Sequence, residues 1–238
     1  YDRTDLIQRK LVDAQFCAAI GPPGGGRNSV TNRYLRHFTV TSLLDFDDES
    51  LTRIFGSIFD WWVKRNNFAE EIKSKRSPMV AGTIDIYRTV QKELLPTPSK
   101  SHYTYNLRDI GKVFMGVTGA PPDLEDSKKL MRIWVNENLR VFHDRLISHE
   151  DKSWFCDYVS EVCDKHFKLK FATLFEHLVN REGASKQPVD VLRGLVVGDY
   201  MGGKGHYDEI TDEAALQRVM DDYLGDYNNV SSKPMDLV

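Results

Sequence analysis

Apolar residues along the chain follow two rhythms, and the change between them falls near residue 45. Residues 12–20, VDAQFCAAI, form a short and mostly apolar run that stops abruptly at GPPGGG, residues 21–26. A continuous apolar run of that length between turn residues predicts a strand buried on both faces. Residues 29–37 predict a short helix, and residues 38–44, FTVTSLL, a second β-rich run. Strand, glycine loop, short helix and strand predict a piece of an α/β sheet.

Beyond Asp45 the spacing is helical. Leu51, Ile54, Phe55, Ile58, Phe59 and Trp62 occupy one helical face, with Asp47 or Asp48 as N-cap. Ser77-Pro78 predicts the opening of another helix, with proline at the first helical position, where its missing N–H does no harm. It carries Val80, Ile84 and Tyr87, and Pro96 and Pro98 stop it. Leu107, Ile110, Val113, Phe114 and Val117 mark a third helix, capped by Asn106 or Thr104. Residues 123–148 predict the longest helix, with Met131, Val135, Leu139, Phe142 and Leu146 on one stripe, and residues 151–167 a fifth. Residues 181–188 read as a polar linker and residues 202–205 as a further break. A last helix over residues 212–224 carries Leu216, Val219, Met220 and Tyr223.

Composition narrows the function classes. The 238 residues are 41% hydrophobic and 28% charged, enough for a real core and unlike a disordered chain. A net charge of -3, from 32 Lys plus Arg against 35 Asp plus Glu, argues against dedicated nucleic-acid binding. No apolar run approaches the ~20 residues of a membrane-spanning helix, so neither a nucleic acid nor a membrane is expected as a partner. Three cysteines, Cys17, Cys156 and Cys163, are odd in number and lack metal-ligand spacing. They predict reduced thiols in the cytoplasm. A start at Tyr1 and an apolar ending, PMDLV, predict a piece of something longer.

Among candidate chemistries, GPPGGGRN at residues 21–28 matches the glycine spacing of a phosphate-binding P-loop, between a predicted strand and a predicted helix. Arg27 stands where that motif needs Lys and Asn28 where it needs a hydroxyl, and two prolines remove N–H donors. A tight strand-to-helix connection is therefore favoured over an independent P-loop NTPase. Arg33 and Arg36, three apart, share a helical face. They read either as a solvated helix end or as guanidinium groups offered to an anion on a neighbouring module. His143 beside Asp144 reads as helix surface and Trp61-Trp62 as core and interface. Asp221, Asp222 and Asp226 show no Ca²⁺-loop pattern, so no metal site is expected.

Five stretches taken together carry a resemblance: AAIGPPGGGRNSVTNRYLRHF, KSHYTYNLRDIGKVFMGV, RIWVNENLRVFHDRLISHEDKSWF, GDYM and YLGDYNNVSSKPMDLV. In that order they resemble a dynein heavy chain, over the latter part of the third AAA+ module of the motor ring and into the fourth. GPPGGGRN and NLRD are similar to the axonemal (ciliary) heavy chains. The resemblance implies a predominantly α fragment in three parts. Residues 1–44 end the AAA+ α/β subdomain, residues 45–148 form the helical lid, and residues 149–238 form a helical connection into the next module.

The resemblance also implies roles. Gly21 falls at the sensor 1 position, commonly Asn. A glycine cannot position a water or bind a γ-phosphate, which counts against efficient hydrolysis in the third module. Arg36, rather than Arg33, matches the arginine finger facing the preceding module, and Arg108 in NLRD matches sensor 2. The implied setting is a minus-end-directed microtubule motor of the ciliary or flagellar axoneme, with ATP or ADP and Mg²⁺ in the intact ring. Its implied partners are the neighbouring AAA+ modules and, through other parts of the parent chain, microtubules and dynein intermediate and light chains. Walker A and Walker B are implied to lie outside these residues, so the segment alone is expected to bind no ATP tightly. A non-catalytic helical scaffold is the alternative from another class.

Overall fold

The structure, a computed structural model, describes residues 2–10, 12–21, 29–179, 187–201 and 206–236. It divides into two units, Tyr1–Asp45 and Phe46–Val238.

In the first unit the regular element among the described residues is α1, Asn32–Leu35, a single turn preceded by Thr31, whose side chain makes no capping bond. Neither expected strand forms there. Val12, Phe16 and Ile20 are exposed, as are Val40, Leu43 and Leu44, the last at 95%. Two physical reasons are visible. A strand satisfies its N–H and C=O groups only through a neighbouring strand, and no described residue of this unit pairs in a ladder. Asp13 also holds φ at +58°, which breaks an extended run. The glycine-rich loop, with Arg27 and Asn28, lies outside the described residues apart from Gly21.

The second unit is a helical assembly packed around the helix Arg76–Glu93. Helix α2, Asp48–Asn66, starts where the Asp47 carboxylate accepts the Ser50 N–H at 2.8 Å. It ends at Asn67, whose φ of +60° makes a left-handed cap. Its buried side is Leu51, Phe55, Phe59 and Trp62, whereas Ile54, Ile58 and Trp61 stay exposed. Arg65 covers the Trp61 ring at 5.3 Å, so of the two tryptophans only Trp62 is core. A short α3, Glu70–Lys73, leads into α4, Arg76–Glu93. Pro78 is therefore the third residue of α4, not the first, and remains among the four N–H positions that a helix leaves unpaired.

Helix α5, Leu107–Val117, buries Ile110, Val113, Phe114 and Val117. The Phe114 ring stacks on Phe55 of α2 at 4.9 Å. Helix α6 is Ser127–Asn138 and is followed by a π-helical turn, Leu139–His143. The single long helix expected over residues 123–148 is thus shorter, starting where the Asp126 carboxylate caps Lys128 at 2.8 Å. It closes where the Asp144 N–H reaches back five residues to the Leu139 carbonyl. At 19 residues, α2 is the longest helix among those described. Trp134 of α6 is fully buried against α4 and donates from Nε1 to Thr83 Oγ1 at 2.8 Å.

Helix α7, His149–Val162, also runs into a π-helical turn, Cys163–Phe167. Two short helices follow, α8 at Phe171–Leu174 and α9 at Glu176–Val179, then α10, Pro188–Arg193. Strands β1, Val197–Gly198, and β2, Asp208–Glu209, pair antiparallel. The last helix, α11, Glu213–Val230, has the Asp212 carboxylate as its cap and buries none of its residues. Among the described residues no helix is long and apolar enough to cross a membrane, and no cluster of metal-ligating side chains forms. The three cysteines are free, with Cys17 exposed and the other two buried.

Candidate functional site

The local sequence NLRD builds the start of α5. Asn106 caps the helix by accepting the Arg108 N–H at 2.9 Å, and the Asp109 carboxylate accepts the Asn106 N–H at 2.9 Å. This reciprocal capping box closes two of the donors a helix N-terminus leaves open. Asp109 itself is buried, and its second oxygen accepts from Arg145 Nη2 at 2.8 Å. Arg145 makes two more bonds, from Nη1 to the Thr104 carbonyl at 3.1 Å and from Nε to the Val141 carbonyl at 3.0 Å. One guanidinium therefore fastens the segment before α5, its first turn and the π-helical turn after α6.

Arg108 sits on this fastened turn, as the second residue of α5, with its side chain exposed. Its guanidinium has no hydrogen bond or ion pair among the described residues. That placement is unfavourable locally, since the N-terminal end of a helix carries partial positive charge and favours anions. Lys112, one turn on, adds a second cation 3.8 Å from the Asp109 carboxylate. The helix end and the free guanidinium both favour an incoming anion. Burial pushes the nearby Tyr105 hydroxyl up to about 12, while the Arg145 guanidinium, 5.1 Å from the ring, works the other way.

A second anchor lies behind it. Tyr103 donates to Asp151 Oδ2 at 2.8 Å and accepts the Ile147 N–H at 3.1 Å, and Lys100 reaches the same carboxylate at 2.5 Å. Burial works to raise the Asp151 carboxyl, but bonds from Lys100, Ser148 and Tyr103 outweigh it and hold the group below its ordinary value. Helix α6 also grips the strand pair. Lys129 pairs with Asp208 at 2.6 Å, Arg132 with Glu209 at 2.7 Å, and Asn136 donates to Tyr207 at 3.0 Å. The buried Glu137 accepts from Tyr207 and from Arg140. Gly116 permits this: a Cβ there would overlap the Glu137 carboxylate, so only glycine lets α5 and α6 approach so closely.

The remaining residues singled out in the sequence belong to the first unit. Arg36 is the exposed C-cap of α1, and its Nε donates to His37 Nε2 at 3.2 Å. Arg33 lies one turn earlier and is exposed. Gly21 is half-buried and outside any regular element. Arg36 and Arg108 thus occupy different units. The Arg145 clamp escaped sequence reading because its partners stand 36 and 41 residues away. The N-x-x-D spacing of Asn106 and Asp109 is the one local signal that could have found half of it.

Two family descriptions match. Residues 51–152 match the dynein heavy chain ATPase lid domain, and residues 1–46 match the P-loop containing dynein motor region. Over its whole length the chain is 41% identical to dynein axonemal heavy chain 12 of Mus musculus, of which it covers 8%. It is 40% identical to dynein axonemal heavy chain 3 of Homo sapiens and 38% identical to human dynein axonemal heavy chain 1, covering 6% of each. The chain therefore spans less than a tenth of the length of these relatives.

Proposed function

The chain belongs to the dynein heavy chains, and from that premise we propose that it forms the latter part of the third AAA+ module of an axonemal motor ring, continuing into the fourth. In this reading residues 1–44 complete the α/β subdomain, residues 45–148 are the lid, and residues 149–238 lead onward. The parent chain is an ATP-driven, minus-end-directed microtubule motor in cilia or flagella. It works with ATP or ADP and Mg²⁺ in the ring, and other parts of it meet microtubules and the intermediate and light chains.

The observation that carries the reading is Arg108, a guanidinium without a partner among the described residues, held at the N-terminus of α5 by the Asn106–Asp109 box and the Arg145 clamp. It acts as sensor 2, reaching from the lid to the nucleotide of its own module. Arg36 acts as the finger toward the nucleotide of the preceding module, where a permanent cation stabilises charge on a transferring phosphoryl group. Gly21, at the sensor 1 position, offers no side chain to a water or a γ-phosphate, which makes this module one that holds nucleotide more than it turns it over.

The test is Arg108→Ala in the intact heavy chain, with nucleotide affinity measured at the third module. A charge-assisted contact contributes about 1.5–3 kcal/mol, so affinity should fall by roughly ten- to a hundredfold. Unchanged affinity would remove the sensor 2 assignment. The 238-residue chain alone should bind no ATP tightly, and calorimetry showing micromolar binding would overturn that part of the reading.

A further inference from the structure

A cleft of about 380 Å³ opens in the second unit, lined from the π-helical turn after α6, from α7, from α10 and from β1. Its volume is at the small-ligand end of the range for binding pockets. The charged lining is unbalanced: Arg140, Lys152 and Arg193 face one carboxylate, Asp144, with the imidazoles of His143 and His149 beside them. Apolar side chains, Leu192 and Val197 among them, supply much of the remaining wall.

These cations are not equally committed. Arg140 already places Nε and Nη2 on one Glu137 oxygen, at 3.1 and 2.6 Å. Among the described residues, Arg193 has only a 3.8 Å approach to Asp190, from a largely exposed side chain. The Lys152 ammonium has no hydrogen bond or ion pair among the described residues. His143 Nδ1 lies 3.3 Å from Asp144 Oδ1, and since a carboxylate only accepts, Nδ1 carries the proton. Its other nitrogen, Nε2, is closed off from solvent and has no hydrogen bond among the described residues. Two uncommitted cations on an apolar-walled cleft favour an anionic occupant.

We propose that this cleft is a binding site for a small phosphate-class oxyanion, free or as a phosphomonoester. Lys152 supplies a point charge and Arg193 a planar fork matched to two phosphate oxygens. The apolar wall receives the organic part of an ester. No residue of α5 takes part, so the site stands or falls independently of Arg108.

The experiment is calorimetric titration of the full 238-residue chain with inorganic phosphate and, separately, with phenyl phosphate. Saturable binding is expected, with loss of about tenfold or more in affinity in the Lys152→Ala/Arg193→Ala double variant. Arg108→Ala should bind as the parent chain does. Tighter binding of phenyl phosphate assigns the ester as the source, and equal binding assigns the free ion. No saturable binding of either probe up to about 10 mM overturns the proposal. So does a correctly melting double variant that binds as tightly as the parent chain.

Discussion

The two units solve the same problem, sheltering apolar side chains, with opposite success. In Phe46–Val238, Phe142, Trp134 and Phe155 are wholly buried, and the helices carrying them satisfy their own backbone groups. In Tyr1–Asp45, Phe16 is 77% exposed and Leu43 89% exposed, in segments with no ladder partner among the described residues. A helix brings its hydrogen bonds with it and needs neighbours only for its apolar stripe. A strand needs a neighbour for both. Apolar content alone therefore does not make a core.

The sharpest way to break this contrast is to truncate the same residue type in each unit. Phe142→Ala should destabilise the second unit by about 3–5 kcal/mol, whereas Phe16→Ala should change stability by no more than about 0.5 kcal/mol. Urea midpoints would compare them directly, and equal losses would show that the first unit has a core of its own. Next in size is Arg145→Met, which strands the buried Asp109 carboxylate. Removing one partner of a fully buried pair costs about 3–5 kcal/mol. Arg145 remains a quarter exposed, so about 2–3 kcal/mol is expected.

Acid should act on the second unit through Asp85 and Asp151. At Asp85 burial works to raise the carboxyl, but bonds from His166, Lys165 and Tyr158 outweigh it, so both groups are held below the ordinary 3.8. A lowered folded value contributes stability that is fully present above the unfolded value and lost as pH falls through the folded one. The melting temperature should therefore hold steady down to about pH 5 and drop below about pH 4. Asp85→Asn and Asp151→Asn should each flatten that drop.

A smaller contrast is between caps. Asn106→Ala removes a bonded N-cap and should cost about 1 kcal/mol. Thr31→Ala, at a position whose side chain makes no capping bond, should leave the melt unchanged. The least perturbing probe is alkylation of the native chain. Burial pushes the Cys156 and Cys163 thiols up to about 12, so neither is nucleophilic near neutral pH. Iodoacetamide should modify exposed Cys17 in the folded chain and the other two only after denaturation.

How legible the molecule was in its sequence follows from the range of the forces involved. Asp47 and Asn106, each one of two candidates, announce their helices because a cap acts within three residues. The stripe Leu51, Phe55, Phe59 and Trp62 reveals a buried face because helical spacing is local. The same stripe logic overran at residues 123–148. A π-helical turn shifts the backbone register while leaving apolar residues near their expected side, so periodicity passed over the break at Leu139–His143.

By itself the sequence determined that the chain is helical beyond residue 45, where several of its helices lie, and two candidates for the cap of each of α2 and α5. It also determined, through several long motifs in order, the family. The tertiary structure decided what spacing cannot encode. It set Arg145 on Asp109, α6 on the strand pair and Glu137 against Gly116, and it left the Arg108 guanidinium without a partner among the described residues. These are contacts between residues far apart in the chain. They depend on which surfaces meet once the helices pack, and no local pattern of residues records that meeting.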